Sequence, residues 1–138
     1  MGSNLAGRFS KAKKDSQGNN LTTGSLESWI YKGGDSGEVN FEKLWNRSFN
    51  KEAFTIYWCE SMSYLVIGLD DGTIVPSEID IDNPTKYTEL RDYKIHKGRV
   101  NGIFIDPDRE FMFSVGDDKY LRVFDFKSKI VTSSKPEI

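Results

Sequence analysis

His96 is the only histidine in this 138-residue chain, and by type it is the residue best suited to act as a general base or metal ligand. Two pairs of adjacent carboxylates, Asp70-Asp71 and Asp117-Asp118, could supply general acid and base groups. Each pair, however, lies in a segment with hairpin-turn chemistry. No cysteine, aspartate or glutamate cluster has metal-ligand spacing with His96. We therefore expect no catalytic residue and no metal site, and assign these side chains structural roles.

The remaining motifs with chemical potential also favour structural interpretations. The segment from Asp80 to Pro84 begins like a calcium-binding loop, but Pro84 and the missing glycine and distal glutamate break that pattern. Cys59, the single cysteine, excludes a disulfide within the chain and is expected to be a buried strand thiol. A phosphate-binding glycine loop and a nucleophile elbow are both missing, so the sequence implies no cofactor.

Composition indicates one domain's worth of sequence with an uneven charge distribution. The net charge is −2, but residues 1–25 carry +3, which leaves −5 for the rest. Binding to nucleic acid needs a concentrated basic face, so we expect none on the folded part. No apolar run approaches the roughly 20 residues of a membrane span, and no signal peptide is recognisable, so we expect a cytoplasmic protein.

Short apolar segments separated by turn residues predict an all-β fold from residue 26 onward. The separators contain glycine, proline, aspartate and asparagine, which favour turns. The predicted strands lie near 26–31, 41–49, 53–58, 63–68, 73–80, 86–93, 99–105, 109–115, 120–126 and 129–133. Residues 1–25 hold few large apolar groups, and we expect them to form a flexible basic tail.

The strand pattern repeats. The turn around Asp71 resembles the turn around Asp118, 47 residues later. The same register aligns Ser77 with Phe124, and a further step of 48 residues back reaches Trp29. A period in this range is typical of the four-stranded units of β-propellers.

Residues 96–126 resemble one nearly complete WD repeat, the unit of a β-propeller blade. His96, Ser114, Asp118 and Phe124 match the hydrogen-bonded His–Ser/Thr–Asp–Trp set of these repeats. The resemblance implies that Asp118 accepts hydrogen bonds from His96 and from backbone amides. Phe124 retains the aromatic wall but lacks the indole N–H. The preceding repeat is degenerate: it keeps Asp71 in the same turn but lacks the histidine and the aromatic residue.

The chain is also similar to the early blades of WD repeat and FYVE domain-containing proteins, a family of endosomal adaptors. This likeness covers about 100 residues and rests on segments 29–37, 66–74, 93–100 and 114–119, of which 68–74 is the most distinctive. The lipid-binding FYVE finger requires many cysteines, so phosphoinositide binding by that route does not transfer to this chain.

The predicted domain organisation is therefore a tail (1–25), a partial blade (26–49), a degenerate blade (50–93) and a well-matched blade (94–134). Two and a half blades do not close a ring and leave an open apolar flank. We expect either that the sequence is a fragment of a longer propeller or that other chains complete the ring.

Propellers of this type bind partners through loops, so we expect a non-catalytic scaffold that binds other proteins, with a possible endosomal or trafficking role. The loop before the first strand and the turn before the third strand share one face. The candidate partner-binding residues on that face are Lys51, Asp70, Lys97, Asp117 and Lys119.

The N-terminus offers an alternative function, as a peripheral membrane adaptor. Gly2 begins a segment that approximates an N-myristoylation signal, and four basic residues follow it. One acyl chain binds membranes marginally, and a basic patch is the usual second signal. Membrane contact is expected only through this tail.

Overall fold

The computed structural model describes residues 5–14, 16–17, 20–33, 37 and 39–134. Every regular element among these residues is a β-strand. The twelve strands are β1 (Leu5–Lys14), β2 (Asn20–Gly33), β3 (Val39–Phe49), β4 (Ala53–Cys59), β5 (Tyr64–Leu69), β6 (Thr73–Glu78), β7 (Thr88–Glu89), β8 (Tyr93–Lys94), β9 (Val100–Asp106), β10 (Phe111–Gly116), β11 (Leu121–Asp125) and β12 (Val131–Ser134). The all-β fold class is confirmed.

The strands belong to two compact units, one of residues 1–52 and 80–86 and the other of residues 53–79 and 87–138. The first unit contains an antiparallel sheet in the order β1-β2-β3. Within it, the indole Nε1 of Trp45 donates a hydrogen bond to the carbonyl oxygen of Pro84 at 3.2 Å. This bond ties the predicted turn at 80–84 to β3.

Residues 5–14 form a strand, although the sequence analysis placed them in a flexible tail. The backbone of β1 pairs with β2 from Leu5↔Ile30 to Lys14↔Asn20. Composition did not reveal this strand, because pairing of a strand requires only backbone N–H and C=O groups. The long partner β2 supplies those groups, so few apolar side chains are needed.

The second unit contains the two repeats found in the sequence. In the middle blade, β4, β5 and β6 are consecutive neighbours, and both β7 and β8 pair with β6. The single strand predicted at 86–93 is thus two short strands separated by residues 90–92. In the last blade, β9, β10, β11 and β12 form an antiparallel meander. It is a complete four-stranded blade.

The 47-residue register appears directly in the strand pairing. On one face of each sheet, a row of three paired residues recurs 47 positions later. The rows are Tyr57–Val66–Pro76 and Phe104–Phe113–Val123. The next row on the same face recurs in the same way, as Thr55–Gly68–Ile74 and Gly102–Val115–Leu121. The two blades are therefore one structural unit repeated.

The core of this unit lies between the blades, since β9 packs on β4 and β5. Val66 and Ile74 of the middle blade are fully buried, as is Val100 of β9. Cys59 is buried in the same cluster as a free thiol. The other core members from the last blade are Ile95, Ile105, Met112 and Phe124. Burial of this apolar surface holds the blades together.

Candidate functional site

A hydrogen-bonded chain links three side chains at one end of the last blade. The Nδ1 atom of His96 lies 2.9 Å from Oδ1 of Asp118, and its Nε2 atom lies 2.8 Å from Oγ of Ser114. Nη1 of Arg122 lies 2.8 Å from the same Nδ1 atom, so this ring nitrogen contacts both the carboxylate and the guanidinium. This geometry joins the loop before β9 to β10 and to the turn before β11.

Asp118 is the centre of this network, because its carboxylate has four hydrogen-bonding partners. Besides His96, the donors are the backbone N–H groups of Lys97 (3.0 Å) and Tyr120 (3.2 Å) and the guanidinium of Arg122 (2.6 Å). Burial by itself raises the pKa of the Asp118 carboxyl, but the hydrogen bonds outweigh it and hold the pKa well below its usual range. Asp118 therefore stays ionised as a structural anion.

The order serine–histidine–aspartate is also that of a hydrolytic triad, in which serine attacks a substrate. Here Ser114 is 2% exposed and His96 is 1% exposed. A Cβ on Gly116 would lie 2.8 Å from Cγ of the imidazole, so the ring is also covered by backbone. Without a path for a substrate to Oγ of Ser114, the arrangement can order the loops but is unsuited to acyl transfer.

Phe124 and Asp71, the other two residues expected to be structural, make contacts outside this network. The ring of Phe124 is 2% exposed and packs against Tyr93, with centroids 4.7 Å apart. It contributes packing where the repeat usually has tryptophan. In the middle blade, Oδ1 of Asp71 accepts a hydrogen bond from the backbone N–H of Thr73 at 3.0 Å. Asp71 thus closes its own turn, in the blade that has no histidine.

A glycine couples the middle blade to the histidine loop. The carbonyl oxygen of Gly72 accepts hydrogen bonds from the N–H groups of Ile95 and His96, both at 3.1 Å. Gly72 has φ +93°, and a Cβ there would overlap the carbonyl oxygen of His96. Only glycine satisfies both the left-handed conformation and the close approach of the loop.

A charged contact reinforces this connection. The guanidinium of Arg99 lies 3.5 Å from the ring centroid of Phe54, and its Nε is 3.2 Å from Oδ1 of Asp70. Phe54 and Asp70 belong to the middle blade, whereas Arg99 precedes β9. The ring and the carboxylate together fix the direction of the arginine side chain across the junction.

Above the network lie exposed side chains of the two loops. Lys97, Asp117 and Lys119 are exposed, and Oδ1 of Asp117 accepts a hydrogen bond from Nδ2 of Asn101 at 2.7 Å. Lys119 is held at φ +67° by the turn. We call Lys97, Asp117 and Lys119 the loop end of the last blade. The backbone N–H groups of Lys97 and Tyr120 in these loops donate hydrogen bonds to Asp118.

The other residues predicted to bind a partner are placed differently. Asp70 is exposed but engaged by Arg99. Lys51 is exposed and belongs to the first unit. Gly2, the predicted lipidation site, lies outside the described residues.

Sequence reasoning missed Arg99 and Arg122. Arg122 lies only four positions after Asp118, at the start of β11, so the ion pair between them is local in sequence and could have been predicted. Arg99 had no such signal, because its partners Asp70 and Phe54 are distant in sequence.

Among the residues that the structure covers, no group of histidine, cysteine, aspartate or glutamate side chains is arranged to hold a metal ion. The covered residues also include no helix long and apolar enough to cross a membrane.

The two antiparallel sheets of the second unit, one of five strands and one of four, have the fold of WD40 β-propeller blades. The C-terminal WD40 domain of Sif2 matches 82% of this chain with a TM-score of 0.63 at 11% identity. Sqt1 of Chaetomium thermophilum, bound to the N-terminus of the ribosomal protein L10, matches 73% with a TM-score of 0.59 at 19% identity. A chain of the mitotic checkpoint complex matches 82% with a TM-score of 0.57 at 19% identity.

By sequence, the chain is 32% identical over 76 residues to Protein HIR1 of Candida albicans, which is 54% of this chain. No protein-family model matches the chain. The aligned part spans 8% of HIR1, and the chain covers 31% of the Sif2 domain and 27% of Sqt1. The chain thus corresponds to a minor part of each of these proteins.

Proposed function

We propose that this chain is a non-catalytic interaction module that binds a segment of another protein at the loop end of the last blade. The observation that carries the proposal is the placement of Lys97, Asp117 and Lys119. They are exposed on two loops that the hydrogen bonds of His96 and Asp118 connect. A preorganised loop loses little conformational entropy when it binds, which favours recognition. The hydrogen bond from the Lys97 N–H to Asp118 brings the loop before β9 next to the turn before β11.

The likeness to Sqt1 supports the kind of partner, since that protein was crystallised with the N-terminus of a ribosomal protein. A peptide segment bound to loops of a rigid scaffold requires no chemistry from the scaffold. The resemblance to WD repeat and FYVE domain-containing proteins adds a proposed setting, a cytoplasmic adaptor at endosomal membranes or in trafficking.

The binding proposal is tested by charge reversal at the loop end. Wild-type chain and Lys97→Glu/Lys119→Glu are immobilised, and proteins captured from an extract are compared by quantitative mass spectrometry. Lys86→Glu/Lys127→Glu is the matched control, because both lysines are exposed and lie outside the loop end.

We expect a partner retained by wild type and control but reduced at least about tenfold by the loop variant, as for a central interface residue. Titration calorimetry with that purified partner then measures the affinity directly. If every captured protein binds the loop variant and the control equally, the proposal is wrong.

The non-catalytic part is tested separately. A fluorophosphonate probe labels serines that an adjacent base activates. We expect no labelling of Ser114 in the folded wild-type chain, with Ser114→Ala as the reference for background. Labelling that disappears in Ser114→Ala would show that the serine is accessible and activated.

A second candidate function, a peripheral membrane adaptor, rests on the N-terminal sequence: Gly2 and the net charge of +3 over residues 1–25. Mass spectrometry of the N-terminus of the cellular protein tests it. A myristoyl group on Gly2 supports the anchor, and an unmodified or acetylated Gly2 removes it.

A further inference from the structure

The fold uses the two lysines of the loop end only through their backbone. The N–H group of Lys97 donates to Asp118, and any residue other than proline would supply the same group. Lys119 has φ +67° and occupies the position equivalent to Gly72 of the middle blade, 47 residues earlier. Glycine adopts a left-handed conformation without strain, so the fold does not require a lysine there. Both lysine side chains are therefore available for binding.

Among the described residues, these two lysine side chains have no partner, whereas the neighbouring arginines are engaged. Nε of Arg99 lies 3.2 Å from Oδ1 of Asp70, and Nη1 of Arg122 lies 2.6 Å from Oδ2 of Asp118. A free guanidinium offers paired donors that suit phosphate, while a lysine offers a point charge. With both arginines engaged, the free cations of the loop end favour single carboxylates.

The loop end also differs in sign from the rest of the chain. Lys97 and Lys119 contribute +2 and Asp117 contributes −1, which gives +1, whereas residues 26–138 together carry −5. Oδ1 of Asp117 accepts a hydrogen bond from Nδ2 of Asn101 at 2.7 Å, which restrains the carboxylate against β9. The amide neutralises no charge, so Asp117 still repels an approaching anion.

The lysines leave the surface from neighbouring points. Gly98, next to Lys97, packs on the turn before β11, because a Cβ there would lie 3.4 Å from Cβ of Asp117 and 3.9 Å from the backbone nitrogen of Asp118. Alternate side chains of an extended segment point to the same side and lie about 7 Å apart. Two acidic side chains on one side of such a segment can therefore contact both flexible lysines at once.

We propose that the segment bound at the loop end is acidic, an extended stretch in which alternate aspartate or glutamate residues pair with Lys97 and Lys119. This inference rests on the proposed function and specifies the chemistry of its partner. Nucleic acid fits less well, because a phosphate backbone requires a broad basic face and the loop end has two free cations. The attraction acts between exposed charges, so salt screens it.

Fluorescence anisotropy with labelled eight-residue peptides tests the proposal on the full chain. Two probes alternate serine with either glutamate or glutamine. We expect the glutamate probe to bind at least about fivefold more tightly at about 50 mM salt, as for two exposed ion pairs, and to lose this advantage at about 500 mM salt. A third probe carries the same net charge on phosphoserine. Tighter binding of that probe would assign the loop end to phosphate and overturn the proposal.

Substitutions at the loop end should have effects of opposite sign. Lys97→Gln and Lys119→Gly should each weaken binding of the glutamate probe by about twofold or more, and Lys119→Gly should keep wild-type stability because glycine relieves the left-handed conformation. Asp117→Asn retains an oxygen for Asn101 but removes a like charge, so it should strengthen binding. Lys127→Gln is the matched control, since Lys127 is exposed in the turn between β11 and β12, and it should change nothing.

Equal binding of the glutamate and glutamine probes overturns the acidic-segment proposal, as does an Asp117→Asn chain that binds more weakly, like the lysine variants. In either case, loss of a captured partner by Lys97→Glu/Lys119→Glu would still support binding at the loop end. If that double variant retains every captured partner, the proposed function is wrong and this inference fails with it.

Discussion

The guanidinium of Arg99 lies 3.5 Å from the centroid of the Phe54 ring. This contact joins the two blades at their loop edge, where Arg99 also meets Asp70. Phe54 and Asp70 belong to the middle blade and Arg99 to the last blade. Substitution of Arg99 therefore measures how much these contacts stabilise the junction between the two blades.

Arg99→Ala should lower the free energy of unfolding by about 1 kcal/mol, the scale of a partly exposed cation–π contact. The exposed ion pair with Asp70 adds little. Urea denaturation followed by tryptophan fluorescence measures the change. Arg109→Ala is the control, because Arg109 is exposed and pairs only with Asp106 in its own turn; an equal loss in both variants would contradict a role for the junction.

Gly72→Ala should destabilise the chain by more than its backbone conformation alone explains. Gly72 has φ +93° and lies against the carbonyl oxygen of His96, so the alanine methyl would displace the histidine loop. Gly37 is a matched control, since it has φ +77° with no atom within 4 Å of an added Cβ. Gly37→Ala should cost about 1 kcal/mol for the left-handed conformation, and Gly72→Ala at least twice that. Thermal unfolding compares the two, and equal losses would show that the loop is not held in this way.

Asp118→Asn should destabilise the last blade by about 3 kcal/mol at pH 7, because the charged Arg122 partner is left without its counterion. The pKa of Asp118 is lowered in the folded state, so its contribution is complete above the unfolded-state pKa of about 4. The contribution is lost as pH falls from there toward the folded-state pKa.

The difference in stability between wild type and Asp118→Asn should therefore be constant from pH 7 to 5 and shrink below pH 4. Chemical denaturation at each pH measures it. Asp125 also has a lowered pKa, owing first to the backbone N–H of Lys127, but it is present in both proteins and cancels in the difference. A difference that grows on acidification would contradict an ionised Asp118.

Phe124 and Phe104 lie on opposite faces of the last blade and should respond differently to truncation. Phe124 is 2% exposed in the core, so Phe124→Ala should cost about 3–5 kcal/mol. Phe104 is 54% exposed, and Phe104→Ala should cost less than about 1 kcal/mol. Chemical denaturation tests both, and similar losses would mean that the faces are wrongly assigned.

Much of the fold of the second unit could be predicted from sequence, because its turns repeat. Aligning Asp71 with Asp118 also aligned Ser77 with Phe124. In the structure Ser77 pairs with Leu65 and Phe124 pairs with Met112, and Leu65 and Met112 are likewise 47 residues apart. Turn residues and apolar alternation are local signals, so they survive even in the degenerate blade.

Features that depend on distant residues were harder to predict. The pairing of β1 with β2 uses backbone groups and leaves no clear apolar pattern. The contact of Arg99 with Phe54 depends on the approach of two strands far apart in sequence. The proximity of His96, Ser114 and Asp118 was expected only from the resemblance to WD repeats, whereas the charged bond from Arg122 was not anticipated.

The exchange of glycine between paired positions, Gly68 opposite Thr55 and Gly102 opposite Val115, has an evolutionary consequence. Each cross-strand pair tolerates one side chain and one gap, so the two positions cannot diverge independently after a duplication. A larger residue in place of either glycine is accommodated only when the residue paired with it, or the residue packed above it, becomes smaller. Related chains should therefore show correlated substitutions at these sites, and designers who concatenate the repeat must change them together.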